Sequence, residues 1–380
     1  MIYLDSAATT AVRREVLEAM WPYLTGTFGN PSSHHTVGEA AARALADARS
    51  AVAEWLSCRA GEVVFTSGGT EADNLAIKGL ALARPRGRHL VTTPIEHEAV
   101  LESVDYLRRQ HGFEVTFVEL DHTGLVSLDS FAEAIRDDTT LATVMCANNE
   151  VGTVQPIAKL AAAARASGVP FHTDAVQAAG WLDVSIPALG VDALSISGHK
   201  LGAPKGIGAL FARGRLPLEP VLHGGGQERG RRSGTENVAG AVGLATAVRL
   251  AERDRVQNAS RAESARDAFI AAVLAAVPVA QLTGHPSLRL PASASFVFPG
   301  TNGEAVLLEL ERRSVVSSSG SACAAGSDEA SHVLLALGYP EDIARTAVRF
   351  SWSPDITAHQ LRETALAVRD AVEAVGSLGR

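Results

Sequence analysis

The chain has 380 residues, 46% of them hydrophobic and 20% charged, with a formal net charge of −8. That is globular composition, long enough for one large domain or two moderate ones. The acidity argues against broad nucleic-acid or membrane binding. Cys58, Cys146 and Cys323 form no CxxC pair, which argues against a disulfide framework or a cysteine zinc site and for a reducing, cytoplasmic setting. "MIYLDSAATT" lacks the basic-then-apolar layout of a signal peptide, and no apolar run reaches the roughly 18 residues that span a bilayer.

Strands and helices alternate through the first two thirds. "EVVFTS" (62–67) is β-branched and apolar, and "GGTEADNLAIKGLALA" then turns helical. "HLVTTP" (89–94) reads as a strand, "EHEAVLESVDYLRRQ" as a helix and "EVTFVEL" (114–120) as a strand. "LATVMCANNE" (141–150) is a strand with a polar tip, followed by the helix "IAKLAAAARASG". "VPFHTDAVQ" (169–177) and "ALSISGHK" (193–200) repeat that layout, and "GIGALFA" (206–212) is another buried strand. The alternation predicts an α/β fold, a mainly parallel sheet covered by helices on both faces. Active sites in such folds lie beyond the carboxyl ends of the strands, where the polar tips cluster. From about 237 an alanine-rich helical stretch, broken at most once, leads into strands "SASFVFPG" (293–300) and "TAVRFSWSP" (346–354). Helices "GEAVLLELERR" and "AHQLRETALAVRDAVEAVG" complete a smaller α+β unit.

Four stretches place reactive groups at strand tips. Lys200 in "SISGHK" is either a solvated lysine or an amine whose pKa is lowered by desolvation for Schiff-base chemistry. Asp174 in "HTDAVQ" ends a buried strand; it either caps the following turn or pairs with the pyridinium nitrogen of pyridoxal phosphate, with Gln177 bonding the ring's phenolate oxygen. Gly68 and Gly69 lead into a helix near Thr70, where free N–H groups and the helix dipole suit a phosphate. His97 begins a helix at the same sheet edge, and Asn148 and Asn149 follow another strand tip. Each has a bland alternative, but one coenzyme explains the amine, the carboxylate and the phosphate cradle together.

The ordered set "YLDSAATT", "FTSGGTEADN", "EHEAV", "NNEVGTVQPI", "HTDAVQ", "SGHKLGAPKGIGAL", "HGGGQERGRRSGTEN" and "SSSGSACAAGS" resembles the cysteine desulfurases of the NifS/IscS type. These are class V aminotransferase-like pyridoxal phosphate enzymes of fold type I. The resemblance implies a large domain over 15–255 with a mainly parallel seven-stranded sheet. It implies a small domain from 1–14 and 256–380, carrying a catalytic cysteine loop near 315–330. It implies that Lys200 carries pyridoxal 5'-phosphate, that His97 stacks on the ring and serves as acid–base, and that Asp174 pairs with the ring nitrogen. Asn149 and Gln177 would contact the ring substituents or the substrate, and Gly69, Thr70, Ser197 and His199 the phosphate. Thr235 would reach the phosphate of the neighbouring subunit in a homodimer, and Arg349 would grip the substrate carboxylate. The implied reaction is conversion of L-cysteine to L-alanine with a persulfide on Cys323, passed to an acceptor protein for Fe–S clusters, thiolated tRNA or DNA phosphorothioation. A selenocysteine lyase or an aminotransferase on the same scaffold, or a non-enzymatic sulfur scaffold, is the alternative.

Three departures stand out. Relatives often follow "VRFS" with Leu-Gly-Arg, where this chain has Trp352, Ser353 and Pro354. Many follow the cysteine with Thr-Ser, here Ala324 and Ala325. Relatives also often carry a longer docking tail, so a different choice of partner is expected. The small residues around Cys323 predict a mobile arm over 317–328. Cys58 and Cys146 read as packing residues, and Arg229, Arg231 and Arg232 as part interface, part site.

Overall fold

The computed structural model describes residues 1–320 and 330–378. The first unit opens with β1 (Ile2–Tyr3), α1 (Arg14–Leu24) and α2 (Thr36–Leu56). Then come β2 (Val63–Thr66), α3 (Gly69–Ala83), β3 (His89–Thr92), α4 (Glu98–His111), β4 (Glu114–Phe117), α5 (Leu128–Ala134) and β5 (Thr139–Thr143). The run continues with α6 (Ile157–Ala166), β6 (Phe171–Asp174), α7 (Ile186–Leu189), β7 (Ala193–Ser197) and β8 (Gly208–Ala212). The long α8 (Val238–Ala276) leads to β9 (Gln281–Leu282), β10 (Ser293–Val297), α9 (Gly303–Arg312) and β11 (Val315–Val316). After the undescribed segment lie α10 (His332–Ala336), α11 (Glu341–Ala344), β12 (Ala347–Ser351) and α12 (Ala358–Leu378).

The β-branched and apolar runs pair into a seven-stranded sheet, ordered β2-β8-β7-β6-β5-β3-β4. Its pairs from β7 to β4 are parallel; β8 runs antiparallel to both β7 and β2. Two reversals leave β2 pointing the same way as β7. The chain therefore leaves β2, β3, β5, β6 and β7 at one sheet edge, and that edge collects the polar tips. The inner strands are buried on both faces, as a helix-covered sheet requires. The expected mainly parallel seven-stranded sheet is thus observed.

A second, antiparallel sheet orders β12-β10-β9, and β1 pairs with β11. Its core is separate from that of the large sheet. Phe269 is the hub, edge-on to Phe296, Phe350 and Trp352 at 5.3–6.1 Å between ring centroids. α8 serves both cores without interruption: Ala239–Val248 pack against one, Ala262–Val273 against the other, with the helix largely exposed between. The helical stretch expected to break at most once is a single helix of 39 residues. The strand expected over 141–150 is shorter: β5 ends at Thr143, and Cys146 is buried beyond it with its N–H bonded to Asp174 O at 2.8 Å. No helix among the described residues is long and apolar enough to cross a membrane.

Candidate active site

Lys200 ends a tight turn (Gly198–Lys200) that leaves β7. Only glycine fits at 198: a Cβ there would lie 2.9 Å from Ile207 Cγ2 and 3.0 Å from Ile207 O. The turn directs Lys200 Nζ to the N-terminal segment, where it donates to Ala7 O and, at 2.7 Å, to Ala8 O. Gln177 Nε2 donates to the same Ala7 carbonyl at 3.0 Å. His199 Nδ1 meets Thr9 Oγ1 at 3.1 Å; burial, with Lys200 and Lys205 nearby, lowers its pKa to about 4, so it is neutral at pH 7 and free to donate through Nε2.

Asp174 is the last residue of β6 and is buried. Its Oδ1 accepts from Val176 N at 2.8 Å. Burial raises its pKa, while the charges of His97 and Lys200 pull it back. Those two opposing effects place His97, Lys200 and Asp174 in one electrostatic group. His97 caps α4, with Nδ1 accepting from Ala99 N at 3.0 Å.

The α3 N-terminus has no side-chain cap. Gly69 there is pressed against the neighbouring tips: a Cβ on it would lie 2.8 Å from Val176 Cγ2 and 3.5 Å from Ser197 Cβ. Uncapped N–H groups beside the Ser197 hydroxyl form an anion cradle. Thr70 is in the first turn of the same helix.

Arg349 enters from β12, between the two cores, and is buried. Its Nη2 donates to Asp5 Oδ1 at 2.7 Å and its Nη1 to Asn149 O at 2.9 Å, so it joins the small sheet to the large-sheet edge. Its Nε is buried with no acceptor among the described residues. Cys323 lies outside the described residues, as does most of the arm expected to be mobile over 317–328. The chain on either side of it is anchored at this site. Gly320 O accepts from Arg349 Nη1 at 3.4 Å, Ser331 Oγ donates to Glu150, and His332 Nε2 lies 3.0 Å from Glu96 O.

Thr235 is not joined to the Lys200 group by any hydrogen bond among the described residues. It is exposed on the β8–α8 loop. That loop is braced from beneath by a buried bidentate pair, Arg49 to Glu228, at 2.6 Å on both arms. Arg232 binds Glu71 at 2.8 Å, Arg229 binds Val63 O and Arg231 binds Gly61 O. The arginine cluster thus holds its own loop in place.

Sequence reasoning missed a buried polar row one step beneath Asp174. His172 precedes Asp174 by two on β6 and so faces the same side. Its Nδ1 meets Thr143 Oγ1 at 2.8 Å, its Nε2 meets Ser195 Oγ at 3.0 Å, and Asp73 Oδ1 from α3 lies 3.7 Å from the same Nε2. Burial lowers the His172 pKa to about 3, so the ring is neutral. Ser195 has one proton to donate. Given to Asp73, it leaves Oγ to accept from Nε2–H and Nδ1 to accept from Thr143. Burial, then the charge of Asp174, pushes the Asp73 carboxyl well above its usual range. Glu96 is a second missed acid, raised to about 8 by burial; its Oε1 is held by Thr93 and Met145 N, and its Oε2 is buried without a partner among the described residues. The only signal available was a polar residue on a buried helix face (Asp73) and a histidine inside an apolar strand (His172).

A family model described as aminotransferase class-V matches residues 2–363. A cysteine desulfurase IscS from Methanosarcina thermophila is 46% identical over 351 residues, covering 92% of this chain and 86% of its own. A solved NifS-like protein superposes with a TM-score of 0.91 at 34% identity, over 98% of this chain and 99% of that one. A structure described as SspA in complex with cysteine gives 0.82 at 38% identity, over 93% and 99%. The chain belongs to the class-V aminotransferase family and, within it, to the cysteine desulfurases of the NifS/IscS type, a family of pyridoxal phosphate enzymes.

Proposed function

We propose that the chain converts L-cysteine to L-alanine and retains the sulfur as a persulfide on Cys323. The observation that carries this is the convergence, at one sheet edge, of the Lys200 amine, the buried Asp174 carboxylate and a buried guanidinium with an unused Nε–H. These residues fit pyridoxal 5'-phosphate. Asp174 is a buried acid that needs a cation, the uncapped α3 N-terminus with Ser197 and His199 suits a phosphate, and Asn149 and Gln177 adjoin Lys200. When bound, the coenzyme supplies an electron sink conjugated to the α-carbon of an amino acid.

Arg349 is oriented by Asp5 and Asn149 before substrate arrives, so the cysteine carboxylate meets a fixed fork whose Nε–H is unclaimed. Lys200 Nζ takes the α-proton and returns one to the carbon skeleton. Cys323 follows Gly320 by three residues, a reach of at most roughly 11 Å from a residue bonded to Arg349. A free thiol of pKa about 8.5 is only a few per cent ionised at pH 7, so a base is required, and His97 Nε2 supplies it. The Cys323 thiolate bonds to the substrate sulfur. The Cβ–S bond breaks with its electron pair left on the carbon skeleton, which is protonated to alanine. L-Cysteine and one thiol thus yield L-alanine and one persulfide.

Thr235, exposed on a braced loop, suits a contact with a second subunit's phosphate, and the functional form is a homodimer. The persulfide then passes to an acceptor protein. The test is to load the protein with coenzyme, add L-cysteine and assay alanine and sulfide. Abundant alanine from Cys323→Ala would refute the nucleophile assignment.

A further inference from the structure

Beside Lys200 lies a cavity of about 600 Å³, well within the range of ligand sites. Asn149, Gln177 and Lys200 contribute to its lining, but Gly69, Thr70, His97, Asp174 and Ser197 do not. It is therefore a second chamber sharing a wall with the coenzyme site. That wall is the N-terminal segment: Ser6, Ala7, Thr9 and Thr10 line the cavity, and Ala7 O accepts from Lys200 and Gln177.

The lining is of two kinds. Trp181, Leu201, Leu290, Trp352 and Ile356 are apolar. Arg13 and Lys205 are cations whose side chains make no hydrogen bond or ion pair among the described residues. Asp254 acts on Arg13 electrostatically without pairing with it, and Asp355 is the only acid among the described lining residues. The Arg13 stem packs on Gly202, where a Cβ would lie 2.6 Å from Arg13 Cγ, so the side chain is held along the wall. The lining also includes Trp352, Ser353 and Pro354, the stretch where this chain departs from Leu-Gly-Arg.

Two unpaired cations together with aromatic and branched side chains recognise an anion with an apolar body. We propose that this chamber binds a small amphipathic monocarboxylate, its carboxylate between Arg13 and Lys205 and its aryl or branched alkyl body against Trp181 and Ile356. The ligand contacts the N-terminal segment whose Ala7 carbonyl accepts from Lys200. It is distinct from the amino-acid substrate, whose carboxylate belongs to Arg349.

The test is calorimetric titration of the coenzyme-loaded protein with 3-phenylpropionate, and with its neutral amide as the control for charge. The acid binds, and the amide binds at least about tenfold more weakly, the loss expected for one charge-assisted contact. Arg13→Ala and Lys205→Ala each weaken the acid about tenfold. Lys205 is exposed, so Lys205→Ala preserves the test if Arg13→Ala fails to fold. Saturating L-cysteine leaves the affinity unchanged. Failure of the acid to bind, equal binding of acid and amide, full affinity in a folded Lys205→Ala protein, or displacement by L-cysteine would each overturn the proposal. The titration needs no turnover, so absence of desulfurase activity would bear on the proposed reaction and not on this site.

Discussion

The strand-tip edge and the row beneath it are both polar, yet they are built in opposite ways. At the edge, Arg349 keeps an Nε–H with no acceptor among the described residues, and Asp174 is a buried carboxylate whose pKa burial raises and the charges of His97 and Lys200 lower. One step down, Thr143 and Ser195 occupy both ring nitrogens of His172, and in that row Asp73 Oδ1 is the buried atom left without a hydrogen-bond partner among the described residues. Reserve capacity marks groups that await a ligand. Saturation marks groups that hold a neighbour in place. A polar group's unused bonding capacity separates these roles more sharply than its burial does, since Arg349 is as buried as His172.

Substitutions at the edge should abolish chemistry and spare folding; those in the row should do the reverse. Lys200→Ala should lower alanine formation by at least about 10³-fold and remove the coenzyme's visible band, with an unchanged urea midpoint for the coenzyme-free protein. A lowered midpoint would mean the lysine also supports the fold. Arg349→Lys should reduce kcat/KM on the order of 10²-fold, chiefly through KM, because an ammonium cannot reproduce the fork. His172→Leu should destabilise the coenzyme-free protein by about 2–3 kcal/mol in urea, since Thr143 and Ser195 lose a shared partner inside the sheet. Retention of full stability would show that the row is not structural.

The smallest effect is a pH slope. Glu96 has a folded pKa of about 8, above its unfolded value near 4.3. The folded state therefore binds more protons than the unfolded state between those values, and stability falls as pH rises through that window. Glu96→Gln keeps an acceptor for Thr93 and Met145 N and removes the titration. Melting temperatures of the coenzyme-free proteins should diverge in favour of the variant from pH 5 to pH 8. Parallel curves would place the titration elsewhere.

The edge was legible because each of its pieces is a short contiguous phrase, such as "SGHK" or "HTDAVQ", set at a strand end by the β/α rhythm. The row was not, because Asp73, Thr143, His172 and Ser195 come from four elements and meet only across the sheet. Arg49 and Glu228 were invisible for the same reason: 179 positions separate two residues that share a bidentate bond. The continuity of α8 was hidden by its own burial. Its two ends bury different faces in different cores, so no single apolar stripe runs its length.

That helix has a mechanical consequence. At 1.5 Å per residue its 39 residues form a beam of about 58 Å, and it has no proline or other break at which to hinge. Lys200 is built on the body at one end of the beam and Arg349 on the body at the other. The spacing between substrate grip and catalytic amine is therefore held by a girder as well as by contacts at the site. Inserting one residue in its exposed span, 249–261, would turn the far body by about 100° and shift it by about 1.5 Å. The active site would be dismantled with every one of its residues still in the sequence.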